Sequence, residues 1–390
     1  MNQEYRYAKG WRIFLWIFIP ILIFGFGYLG IMPYIEGFDL TAKIFLTILS
    51  IALEFFLVLA IIDLLKGKII LEKDTLTSIG VFKTRILKFS EIKGFKKDNN
   101  YLYFIPLNKN LKQIKVSSYV GKFSNLVSWA GENFTNLDIQ EIIKEEEEIL
   151  TNEDFGETAE EREALLKKAK KVTKVINTIS WISAISLWFF PYFYTLQVII
   201  CAALPIIGFV IYKQFKGIIK IDDKPNSAHP NLLSTFFIPA CVLMLRALMD
   251  YNVFNYANFW KPVIPIFASL AYLMIKNSYV EFDLKKVMTY FTILGMLMFG
   301  GMYAYGFIIT SNSVFDQSQP QYYKAKVLDK RISSGKSKTY YLELSKWGPQ
   351  QEVDEVTVAR DIYNEKEVGD SALIFFSGGL YKIPYYIVVQ

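Results

Sequence analysis

Residues 175–212 run for 38 positions without a formal charge. As one helix that stretch would reach ~57 Å at about 1.5 Å per residue, nearly twice the ~30 Å hydrocarbon core of a bilayer. It has to fold back. Pro191-Tyr192-Phe193-Tyr194 is the expected turn, because proline breaks a helix and tyrosine favours the membrane interface. Further apolar runs lie at residues 13–35, 44–65 (interrupted by Glu54 and Asp63), 232–248, 260–275 and 287–310, so seven crossings are expected. Composition agrees: 53% of the residues are hydrophobic and 21% charged, against about 25% charged in ordinary soluble domains.

The basic residues set a direction for these crossings. Nineteen lysines and arginines flank one set of span ends, including Arg6, Lys9 and Arg12 before the first span, Lys66, Lys68 and Lys73 after the second, and Lys285 and Lys286 between the last two. Only Lys43, Lys261 and Lys324 flank the other set. By the positive-inside rule the amino terminus lies in the cytoplasm and the carboxyl terminus outside. The first span is too long for a signal-peptide core and lacks a small-residue cleavage site, so it should be retained as an anchor.

Two parts of the chain read as β-structure. Between the second and third spans, alternating runs at residues 68–72, 81–89, 101–105 and 111–116 are separated by Asp74, Gly80, Gly94, Asn99-Asn100 and Asn108, a pattern of antiparallel strands. A helical pattern over residues 121–134 closes this region with Phe123, Leu126, Val127, Trp129 and Ala130. Beyond the last span, five short β-rich runs at residues 323–332, 339–344, 355–359, 372–376 and 385–389 suggest a small barrel or sandwich. The expected fold is therefore a membrane all-α bundle of seven transmembrane helices with a cytoplasmic β domain and a small outer all-β domain. Its expected parts are a two-helix hairpin at 1–65, the β domain at 66–136, charged juxtamembrane helices at 137–174 broken near Asn152–Gly156, five spans at 175–310 and the outer domain at 311–390.

Strands capped by one helix beside a transmembrane pair, together with the step Phe89-Ser90-Glu91-Ile92, resemble the pleckstrin-homology-like (PH-like) domains of bacterial membrane proteins over residues 67–136. The resemblance implies a bacterial cytoplasmic membrane protein whose β domain docks other proteins. It also implies a possible anionic-ligand face at Lys83, Arg85 and Lys88, against which stands the plainer reading of a solvated basic strand. Gly379-Leu380-Tyr381-Lys382-Ile383-Pro384-Tyr385 is loosely similar to the carboxyl-terminal modules of uncharacterised bacterial membrane proteins, and no function comes with that likeness.

Little in the chain points to catalysis. His229 is the only histidine, which removes the usual zinc hydrolase sites and leaves a Ser-His-Asp triad one candidate in a turn-like segment. There is no G-x-x-x-x-G-K-[ST] loop for ATP, and Cys201 and Cys241 fall in apolar spans as small hydrophobes. No cofactor, metal or nucleic-acid partner is implied; membrane lipids and protein partners are. Lys167, Lys168, Lys170, Lys171 and Lys174 lie where anionic headgroups would be, worth ~1 kcal/mol each near the surface. Glu54, Arg246 and Asp250 form a candidate intramembrane polar cluster, in which Arg246 pairs either with Glu54 or, one turn along its own helix, with Asp250. Gly300 and Ala304 make a small-xxx-small pair for helix packing. The function that fits is a non-enzymatic membrane subunit or scaffold in a larger complex; a transporter or channel using the intramembrane charges is the alternative.

Overall fold

The computed structural model describes residues 3–215, 217–221, 226–278, 287–334 and 338–389. Lys216, Lys224, Lys285 and Lys286, which belong to the nineteen basic residues flanking the spans, lie outside the described residues. The chain divides into two compact units, residues 1–148 with 225–228 and residues 149–224 with 229–390.

The first unit opens with β1 (Gln3–Tyr5), followed by two long apolar helices, α1 (Lys9–Ile35) and α2 (Leu40–Lys66). Asp39 caps α2 by accepting the Ala42 amide, satisfying one of the orphan donors of a helix start. The two helices meet along a strip of small and polar residues. Ser50 Oγ donates to the Phe26 carbonyl at 2.6 Å, and a Cβ on Gly30 would stand 2.8 Å from that same Oγ. Most of the remaining side chains, Phe24 and Phe56 among them, point outward and are exposed, as suits helices whose solvent is lipid.

From α2 the chain passes through a single residue, Gly67, into β2 (Lys68–Leu71) and on to β3 (Thr75–Ile79) and β4 (Thr84–Lys88). The strand before the hairpin completes the sheet, in the order β1-β2-β3-β4, all antiparallel. A second antiparallel sheet holds β5 (Ile92–Lys97), β6 (Tyr101–Pro106) and β7 (Ile114–Ser117), and α3 (Phe123–Asn133) follows. Alternate residues of both sheets enter one core of Leu76, Leu87, Leu102, Phe104, Ile114 and Val116, which Leu126 and Ala130 of α3 close. Leu76, Leu102 and Phe104 are wholly buried. The β domain thus draws on residues 3–5 as well as on the stretch after the hairpin.

Next come α4 (Leu137–Thr151) and α5 (Ala159–Phe189). Arg162 braces the break between them, donating to the Leu150 and Gly156 carbonyls, and a Thr158/Glu161 capping box starts α5. α5 is continuous over 31 residues, so the charged juxtamembrane stretch and the third span are one helix. At its end Gln197 donates to Ser186 Oγ and the Phe190 carbonyl, stapling the turn through Pro191 into α6 (Tyr194–Gln214).

The second unit continues with α7 (Leu233–Asp250), β8 (Asn252–Val253), α8 (Trp260–Ser278) and α9 (Val287–Val314). Among the described residues, six helices are long and apolar enough to cross a membrane: α1, α2, α5, the Pro191–Gln214 segment, α7 and the Thr289–Val314 part of α9. The chain is therefore a multi-pass membrane protein. α8, the remaining expected span, lies outside those six. After the helices come β9 (Gln321–Ser334), β10 (Lys338–Leu344), β11 (Asp354–Val358), the short α10 (Arg360–Glu365), β12 (Ser371–Ser377) and β13 (Tyr385–Val389). They form one antiparallel sheet in the order β11-β10-β9-β12-β13-β8, with Trp347, Leu342, Ile374 and Tyr386 in its core.

Glycines set how closely the helices approach. A Cβ on Gly306 would stand 2.5 Å from the Met244 amide nitrogen of α7, and one on Gly300 3.2 Å from the Phe267 ring of α8, whereas Gly301 has open space. Backbone cannot yield as a ring can. Gly306→Val should therefore lower the melting temperature in detergent, at a cost of about 1–3 kcal/mol or more. Gly301→Ala should leave stability unchanged or raise it by up to ~1 kcal/mol through helix propensity. Equal melting of the two variants would show that α7 and α9 do not cross at Gly306.

Candidate functional site

In the second unit, the last turn of α7 and the start of α6 bring polar groups together. Arg246 and Asp250 are one helical turn apart, with Nε and Oδ2 separated by 3.0 Å and side chains 17% and 23% exposed. The Nε–H is not aimed at the carboxylate, so this is a charge contact more than a hydrogen bond. Tyr194 completes the group: its hydroxyl donates to Asp250 Oδ2 at 2.7 Å, and its ring centroid lies 5.3 Å from the guanidinium carbon. The arginine is compensated by a neighbouring carboxylate and a ring face, the arrangement expected of a charge in an apolar bundle.

Glu54 belongs to the other compact unit. It lies midway along α2, on the side facing α1, where a Cβ on Gly27 would stand 3.2 Å from its Oε1. Lys167, Lys168, Lys170, Lys171 and Lys174 are all exposed, on the side of α5 away from its buried Leu166, Ala169, Thr173 and Ile176. Lys167 pairs with Glu163 at 2.6 Å. Lys83, Arg85 and Lys88 are exposed around β4. Arg85 donates to the Gln113 carbonyl, and the Lys88 amide donates to Glu91. Gly300 packs on Phe267, and Ala304 is wholly buried.

Two further polar groups carry no local signal in the sequence. Where the hairpin meets the first β domain, a hollow of about 330 Å³ is lined by Arg6, Tyr7, Asp63, Lys68, Tyr101 and Lys115, among others. Tyr7 donates to Asp63 Oδ2 at 2.6 Å; burial first, then this bond, raises the Tyr7 phenol above its ordinary range. The cations of the hollow are already engaged. Arg6 and Lys68 both pair with Glu4, and Lys115 Nζ sits 3.5 Å from the Tyr101 ring centroid.

The second group locks the sheet of the second unit to α9. The buried Asn312 donates from Nδ2 to the Ile383 carbonyl at 2.9 Å and accepts the Tyr381 amide at Oδ1, while its carbonyl accepts the Leu380 amide. Asp316 accepts the Ser377 hydroxyl at 2.5 Å and the Gly379 and Ser318 amides. Gly379 adopts φ +75°, and a Cβ there would overlap the Asn312 amide. The segment Gly378–Pro384 is thus a clasp, and Ile383 enters the helix-side core with Ala304, Ile308 and Ile309.

Among the described residues, no group of three or more His, Cys, Asp or Glu stands close enough to hold a metal ion. His229 is half-buried, its Nδ1 2.8 Å from the Ile218 carbonyl. Cys201 and Cys241 are free thiols. No family model, curated protein or solved structure matches this chain.

The clasp predicts a pH dependence. Burial opposes ionisation of Asp316, but the Ser377 hydroxyl and the Ser318 and Gly379 amides outweigh it and hold the carboxyl below its usual range. A depressed folded-state value means the stabilisation is present above the unfolded value of about 4 and is lost as the pH falls through the folded one. Asp316→Asn should cost about 1–3 kcal/mol at neutral pH, and the gap to the unmodified protein should close as the pH drops below about 4. Gly379→Ala should cost at least ~1–2 kcal/mol from the left-handed backbone alone. Thermal melts of both variants across pH check this; an Asp316→Asn penalty that persisted undiminished at low pH would exclude the carboxylate as its source.

Proposed function

We propose that this chain is a non-enzymatic integral membrane subunit, a scaffold that joins a cytoplasmic PH-like domain to an outer β domain within a larger membrane complex. One observation carries the reading: the sheet of the second unit is fastened to α9 by the fully bonded Asn312–Asp316 clasp and to the α7–α8 connection by the β8–β13 pairing. A β module tied in this way is an extension of the helical bundle, suited to presenting a surface for binding. The polar groups of the bundle support the same reading, because Tyr194 bonds Asp250 and Arg246 lies against both, a brace between α6 and α7.

The PH-like reading of the first β domain is supported by its make-up of a four-stranded and a three-stranded antiparallel sheet closed by one helix. In this reading α8 is the seventh crossing, with Lys261 and Lys276 near its two ends. The amino terminus and the PH-like domain face the cytoplasm, and the carboxyl-terminal sheet faces outward. The membrane is a bacterial cytoplasmic membrane.

Two experiments test the proposal. Purification from native membranes in a mild detergent should yield a stoichiometric protein partner; solute flux in liposomes by the isolated chain would favour a transporter instead. A cysteine at the exposed Glu352 should react with an impermeant maleimide in intact cells, and one at the exposed Asp74 only after lysis. The reverse pattern would invert the orientation.

A further inference from the structure

The turn between β3 and β4 leaves its largest apolar side chain exposed. Gly80 donates to the Lys83 carbonyl across the turn, and Phe82 at the tip is 74% exposed. Lys83 and Arg85 follow it, both exposed, and Ile86 is 60% exposed. An aromatic tip on a basic stem is poorly matched to water alone and well matched to a bilayer surface, where the ring enters the interface and the cations meet anionic headgroups.

Topology brings this tip to the bilayer. Only Gly67 separates the end of α2 from β2, and it holds on to the helix through the bond from its amide to the Asp63 carbonyl. The first residue of β2 is therefore the membrane end of the sheet. Antiparallel pairing sets Lys68 opposite Ile79, the last residue of β3, so the turn that follows points back toward α2, while Asp74 in the preceding turn lies at the far end. From the Lys68–Ile79 row, the two residues beyond Gly80 can carry the tip roughly 5 Å or more toward the bilayer. Independently, Gly80 lines the same hollow as Asp63 and Gly67 of the α2 terminus. The neighbouring elements at this end carry interfacial side chains too: Trp11 of the first turn of α1 stacks on Tyr119 at 4.4 Å.

We propose that the Gly80–Lys83 turn is a bilayer contact, with Phe82 inserted among the headgroups of an anionic leaflet and Lys83 facing their phosphates. The inference rests on the reading that the α1–α2 hairpin crosses the membrane. It adds to the domain's two covalent joints with the hairpin, before α1 and after α2, a further point on the membrane that fixes how the domain is tilted.

The test uses the full-length chain in nanodiscs of anionic phospholipid, in a Cys201→Ala/Cys241→Ala background with one environment-sensitive fluorophore per protein. A probe at Lys83→Cys, which keeps Phe82, should show blue-shifted emission, quenching by headgroup-level spin-labelled lipid and protection from iodide. Adding Phe82→Asp should remove most of that quenching. A probe at Asp74→Cys should be open to iodide and insensitive to the spin-labelled lipid, and one at Lys66→Cys should be lipid-quenched as the end of the hairpin. Behaviour at position 83 like that at 74, with 66 still quenched, would overturn the contact while leaving the hairpin in the membrane. Loss of lipid quenching at both 66 and 83 would overturn the hairpin reading, and the contact with it. Protection from iodide at 83 without lipid quenching would mean that protein covers the turn, which also overturns the proposal.

Discussion

The backbone pairing of Gln3–Tyr5 with residues 69–71 of β2 closes the chain around the whole α1–α2 hairpin. Paired strands stand about 4.8 Å apart, so the entry to α1 and the exit from α2 are held side by side at the base of one sheet. Several other features follow from that constraint. Tyr7 can reach Asp63, Trp11 can stack on Tyr119, and the end of β3 is carried back to the foot of α2. Without β1 the sheet would begin at β2 and lose the buried Tyr5 from its core.

The second unit repeats the principle with other elements. β8 is only two residues long, yet it pairs with β13 and anchors the edge of a six-stranded sheet to the connection between α7 and α8. Phe254 donates its amide to the Pro384 carbonyl, and Asn258 donates to the Lys382 carbonyl, so the carboxyl-terminal segment is fastened from the α7–α8 side as well as by Asn312. In both units a very short strand beside the helices costs little chain entropy to order, and it pairs an edge that would otherwise present unpaired backbone groups.

Where the sequence could be read, the signals were local. Long apolar runs announce six helices because apolarity over some 20 residues is the property that membrane crossing requires, and the five strands of the carboxyl-terminal sheet alternate over enough residues to show their period. β1 and β8 are too short to have a period. β5 was hidden by its lysines and by Gly94, a residue that reads as a break; in the fold it permits close approach, since a Cβ there would stand 2.4 Å from the Thr135 carbonyl. The site followed the same division. The Arg246–Asp250 spacing of one helical turn was legible, but Tyr194 lies 56 residues from Asp250 and nothing near it in the chain announces the contact. Gly300 and Gly306 look alike in a glycine-rich span, and only the crossing of α7 distinguishes them. Asn312 and Asp316 look like the polar exit from a span until Gly378–Pro384 folds onto them.

Because β1 and β2 are adjacent antiparallel strands, everything between them is, in topological terms, the content of a hairpin loop. Natural loops of that kind close in two to five residues; here the loop has been filled with two helices of 27 residues each. The membrane anchor therefore lies outside the fold of the β domain, whose core is built without a single residue of α1 or α2. A different pair of helices could occupy the loop without changing one strand pairing. The hairpin and the domain are separable in topology, and what ties them beyond the chain itself lies outside the domain's core, in contacts such as Tyr7 with Asp63 and Trp11 with Tyr119.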